Sequence, residues 1–124
     1  MVIDVHYHPT FFEEVCKTEQ IAQKRRENMA YYKTPVLPVE RIFERMTASG
    51  VDQCFLLPHD LSTETGDKIT NEDVAELVKM GKGRFYGFAS VDPHLDNAAE
   101  LVEKAQWIYM AARNFGKIWT TITF

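Results

Sequence analysis

Apolar residues in this chain fall into three short strand-like runs, with helical spacing between them. The first run, Met1-Val2-Ile3-Asp4-Val5-His6-Tyr7-His8-Pro9, alternates: Ile3, Val5 and Tyr7 on one side, Asp4, His6 and His8 on the other, as expected of a strand with one packed face. The second, Val51 to Pro58, is almost continuously apolar, the pattern of a buried parallel strand, and the third runs from Arg84 to Pro93. Each ends at a proline, which has no amide hydrogen to continue the ladder. Between the runs, Val39, Ile42, Phe43 and Met46 recur at i, i+3, i+4 and i+7, and Gly50 supplies a left-handed cap. Thr70-Asn71-Glu72-Asp73 caps a second helix carrying Val74, Leu77 and Val78, which stops at Gly81-Lys82-Gly83. Asp96 caps a third, with Ala98, Leu101, Val102 and Ala105 on one side. Residues 10–33 hold a broken apolar stripe of Phe12, Val15, Cys16 and Ala22 and read as a covering helix. Residues 34–38 read as a linker and 61–69 as a loop. Strands alternating with helices predict an α/β fold with helices packed around a parallel sheet.

Composition fits one ordinary globular domain: 124 residues, 45% hydrophobic and 26% charged. A net charge of -4 lacks the basic face a nucleic-acid binder needs. The densest basic run, Lys24-Arg25-Arg26, reads as a solvated helix face. Cys16 and Cys54 stand too far apart in sequence for a metal knuckle or a disulfide framework. No apolar run approaches the roughly 20 residues of a membrane span, and no signal peptide precedes the first strand. The expectation is a reduced cytoplasmic protein.

The chemistry concentrates at strand ends. His6 and His8, one pleat apart, bring two imidazoles to one side, where a divalent ion such as zinc could bridge them. The same pair also fits two hydrogen-bonded core histidines or a solvated edge. His59 and His94 follow the second and third strands, and parallel strands put those ends on one rim, so all four imidazoles are expected at a common mouth. The plainer alternative makes His59 and His94 ordinary turn residues.

Taken in order, these segments resemble the amidohydrolase superfamily, in particular the amidohydrolase-related family of metal-dependent hydrolases and decarboxylases. The resemblance is carried by Ile3-Asp4-Val5-His6-Tyr7-His8-Pro9, by Gly50-Val51-Asp52 leading into Leu56-Leu57-Pro58, and by Asn71 through Val78. Its most specific part is Gly83-Arg84-Phe85-Tyr86-Gly87-Phe88-Ala89-Ser90-Val91-Asp92-Pro93, and it covers residues 1 to about 105. It implies a partial (β/α)8 TIM barrel of three to four parallel strands, His6 and His8 as ligands to a divalent metal, most often zinc, and Asp4 as a supporting carboxylate that orients an imidazole or simply pairs within the barrel. His59, Asp92 and His94 would contact a small-molecule substrate. The implied reactions are hydrolysis of C–N or C–O bonds by a metal-activated water and decarboxylation of a metal-oriented carboxylate.

The family's later ligands and its catalytic aspartate have no counterpart here, and complete barrels of this kind run to about 250 residues. From about residue 106 the resemblance lapses. Residues 106–115 prolong the helical pattern and 118–124 favour a strand, as a frameshift or premature stop in a longer gene would leave them. The chain is therefore expected to be inactive alone. The alternative is a non-catalytic assembly partner whose open sheet edge pairs with itself or another chain. A third class, a phosphoesterase or nuclease with an initial His-x-His, is disfavoured by the acidic charge and the third-strand motif.

Overall fold

The computed structural model describes residues 1–111 and 119–120. Strand β1 (Ile3–Tyr7) leads through turns into helix α1 (Glu19–Asn28), followed by α2 (Val39–Ala48) and β2 (Gln53–Leu56). A small hairpin, β3 (Asp60–Leu61) with β4 (Asp67–Lys68), precedes α3 (Asn71–Met80), β5 (Phe85–Ala89), α4 (Ala98–Ala111) and β6 (Trp119–Thr120). The main sheet has the order β1-β2-β5-β6, and every neighbouring pair is parallel. The chain is thus an α/β protein with a small parallel sheet, as the alternation of patterns predicts.

Local chemistry explains the elements. Thr70 Oγ1 accepts from Asp73 N at 3.1 Å and caps α3. Helix α2 ends in a Schellman arrangement: Gly50, at φ 69°, donates to Thr47 O, and Val51 N donates to Met46 O at 2.8 Å. Gly81 is required for a different reason, since a Cβ there would stand 2.8 Å from Phe85 Cβ. Alternation along the strands then sorts the two sheet faces. Cys54, Leu56, Phe85 and Ala89 are buried in one core with Val39, Ile42 and Met46 of α2, Val74, Leu77 and Val78 of α3, and Ala105 of α4. Burial pushes the Cys54 thiol up to about 11, so it is a core residue and not a nucleophile. The opposite face carries half-buried aromatics, with Phe55 5.3 Å from Tyr86 and 5.5 Å from Phe88.

Four expectations need correction. Residues 10–18 form successive turns ahead of α1, because Phe12 N and Cys16 N are bonded to Pro9 O and Phe12 O while Phe11 and Glu13 pair with Leu37. The segment 61–69 is not wholly a loop: its ends form the β3–β4 hairpin. Arg25 is not on a solvated face; it is 2% exposed and among the largest fully buried side chains. Strict alternation also fails in β1, where Asp4 lies opposite Cys54 but Tyr7 lies opposite Leu56, so one extra residue bulges between them. Tyr7 packs on the core beside Phe12, whereas Val5 lies with His6 and His8 against a cavity and is 62% exposed. The helical pattern over 106–115 is described as far as Ala111 and the strand over 118–124 only at Trp119–Thr120; residues 112–118 and 121–124 lie outside the described residues.

Candidate active-site cavity

A cavity of about 820 Å³ opens at the carboxyl ends of β1, β2 and β5. Five residues singled out in the sequence line it: His6, His8, His59, Asp92 and His94. Their environments differ.

His6 and His8 form a converging pair. Their Nε2 atoms are 3.0 Å apart and the rings meet edge to face. His8 Nδ1 is 2.9 Å from Leu57 O, a carbonyl that can only accept, so Nδ1 carries the proton and Nε2 presents its lone pair toward His6. In the neutral pair His6 Nε2–H donates across this gap. A shared cation would instead take both lone pairs. Two imidazole nitrogens on one tetrahedral zinc, each about 2.0–2.1 Å from it, stand about 3.3 Å apart. The observed 3.0 Å is a hydrogen-bond distance about 0.3 Å short of that span, so a slight opening of the pair would admit an ion, and the Leu57 carbonyl is the kind of outer partner that fixes a ligand's tautomer. Among the described residues no third His, Cys, Asp or Glu joins them in a group able to hold an ion. Asp4 faces the chain rather than a ring: its Oδ1 accepts from the main-chain N–H of His6 at 2.9 Å and so braces the bulge.

His59 is held quite differently. Its Nε2 lies 2.8 Å from Asp67 Oδ2, and the two side chains are only 14% and 10% exposed. Arg25 grips the same carboxylate twice, Nε to Oδ2 at 2.9 Å and Nη2 to Oδ1 at 3.1 Å, and donates to the carbonyls of Thr10, Val15 and Lys68. Burial pushes the Asp67 carboxyl up, but hydrogen bonds from Arg25 and His59 and their charges outweigh it and hold the group below its usual value. Burial lowers His59, with Arg25 and His8 acting in the same sense, and Asp67 opposes this only in part.

Asp92 is buried and serves as a clasp. Oδ2 accepts from Thr63 Oγ1 at 2.7 Å and Thr63 N at 2.8 Å, while Oδ1 accepts from His94 N at 2.9 Å. The Thr63 hydroxyl and these two amides hold its carboxyl below the usual range. The imidazole of His94 sits on an exposed turn. Asp92 therefore ties the tip of the β3–β4 hairpin to the end of β5, while Arg25 ties its base, and Lys24 donating to Thr65 O ties its turn, to α1. Gly66, at φ 74°, supplies the left-handed turn residue of that hairpin.

Arg25 and Asp67 were not identified from the sequence as site residues. A signal existed for Arg25: it follows Ala22 by one helical turn and so continues the buried stripe of α1. No local pattern marks Asp67, whose partners lie 42 and 8 residues away. Among the described residues no helix is long and apolar enough to cross a membrane. Compared with models of protein families, with characterised proteins and with solved structures, the chain matches none.

Proposed function

We propose that this chain forms the opening part of an amidohydrolase-type (β/α)8 barrel and carries the first half of its metal centre, His6 and His8. The observation that carries this reading is the approach of the two Nε2 atoms to 3.0 Å, with the His8 tautomer set by Leu57 O. A divalent ion of the zinc class held there would supply a Lewis acid at the mouth of the cavity. The parallel order β1-β2-β5-β6, in which each strand of the main sheet lies beside the next along the chain, supports the barrel.

The chain's own residues bind and orient. Val5, Leu57 and Phe88 give the cavity apolar walls suited to the body of a small carbonyl or carboxylated molecule. Asp92, through Thr63, keeps the hairpin wall in place. Catalytic zinc takes three protein ligands as a rule, so two imidazoles bind it weakly and the isolated chain turns over such substrates poorly. Calorimetric titration with zinc tests the reading: one ion per chain in the wild type, and none in His6→Ala or His8→Ala. Equal binding by all three proteins would refute it.

A second reading is a non-catalytic assembly partner. It is favoured by β1, an edge strand among the described residues, where Ile3 and Val5 are 41% and 62% exposed. Mass measurement in solution separates the two. A stable oligomer without bound zinc supports the second.

A further inference from the structure

The cavity holds a second piece of chemistry that needs no metal. Asp67 is ionised and doubly gripped by Arg25, so it can only accept, and His59 must present Nε2–H to it. That fixes the tautomer of a neutral ring and places its lone pair on Nδ1. Of the other carboxylates lining the cavity, Asp92 is committed to Thr63 and to His94 N and Asp60 Oδ1 to the amide and hydroxyl of Ser62, while Glu64 stands exposed on the hairpin turn. His59 lines the same cavity as His6 and His8.

We infer that His59 is a catalytic proton acceptor in this cavity, positioned by Asp67, for hydrolysis of small acyl esters or amides. The inference deepens the proposed function and rests on it for the acyl substrate class, not for the metal. Water attacks the acyl carbon as one of its O–H bonds breaks and Nδ1–H forms. The imidazolium charge faces the Asp67 carboxylate, as in any base held by an orienting acid. When the adduct collapses, the C–O or C–N bond breaks and Nδ1–H returns its proton to the leaving atom. Ester and water become acid and alcohol, and the enzyme ends unchanged. The charged and titratable groups facing the ring are Asp67 from β4, Arg25 from α1 and His8 beyond β1. Burial and Arg25 keep it neutral at pH 7, ready to accept.

The test uses the full chain and 4-nitrophenyl acetate, whose good leaving group isolates the proton-transfer step. His59→Gln keeps a donor for Asp67 at the place of Nε2 but has no base. The expected result is a rate at pH 8 at least tenfold below wild type, loss of the solvent deuterium isotope effect, and an unchanged circular dichroism spectrum. A wild-type rate no higher than that of the variant, including none above buffer, overturns the inference. Nitrogen-15 NMR of the wild type decides independently of that variant's folding: Nε2–H with unprotonated Nδ1 is expected for His59 at pH 7, and the opposite tautomer or an imidazolium overturns it. Asp67→Asn should move the midpoint of the pH–rate profile to lower pH. Repeating the assay with and without zinc separates the two ideas, because an unchanged rate without zinc supports this one even if His6 and His8 hold no ion.

Discussion

The two sides of the cavity are built in opposite ways. On the hairpin side, Arg25, Asp67 and His59 form a buried ionic cluster in which every polar atom of the guanidinium finds an acceptor. On the β1 side, His6 and His8 are exposed and depend on one another and on a single carbonyl, Leu57 O. A buried charge network is strongly destabilised when one partner is removed, whereas an exposed pair can be deleted at little cost. The hairpin side is therefore the rigid wall, and the β1 side is the adaptable one, whose geometry a bound cation would complete.

Arg25→Met breaks the contrast most directly. It leaves Asp67 buried without its cation and should cost about 3–5 kcal/mol, measured by urea unfolding. Thr63→Val comes next: it removes one hydrogen bond to the Asp92 carboxylate but leaves the Thr63 amide in place, and should cost about 1–2 kcal/mol. His6→Ala and His8→Ala should change stability by no more than about 0.5 kcal/mol while removing zinc binding. A large loss in either would make the pair a structural element and collapse the contrast.

Acid sharpens the same comparison. The His59 value is lowered on folding, so the unfolded chain takes up this proton first. Stability is full above 6.5, the ordinary histidine value, and falls as pH drops from there toward the lowered folded value. Asp67 and Asp92 are also lowered, and the stability they contribute is present above their ordinary value of 3.8 and is lost as pH falls through the still lower folded values. Two separate declines are expected in unfolding free energy against pH, and His59→Gln should abolish only the upper one.

Much of the fold was legible because it rests on local patterns. The cap at Thr70 and the Gly50 terminator lie where residue chemistry places them, and strands form within the three apolar runs, although β2 stops at Leu56 and β5 at Ala89, short of the prolines expected to end them. What escaped was non-local. The alternation of β1 put Tyr7 on the side of Val5, away from the histidines, but one bulged residue sends Tyr7 to the core and leaves Val5 with the imidazoles. A bulge depends on the partner strand, here Cys54 and Leu56, and has no signature within β1 itself. Arg25 was hidden because a charge on a helix is usually solvated, and its burial makes sense only once Asp67 arrives from a hairpin 42 residues on. The site divides the same way. Four histidines at strand ends are visible in the sequence, yet their surroundings make one a paired donor with its tautomer fixed, one its neighbour, one a carboxylate-bound base and one a solvated turn residue.

The sharing of one ion by His6 and His8 is tested most directly by X-ray absorption at the zinc edge on the loaded chain. Two imidazole nitrogens at about 2.0–2.1 Å are expected in the wild type, and no zinc retained when either histidine is replaced by alanine. A zinc shell that is unchanged in both variants, or that contains no imidazole scattering, would contradict it.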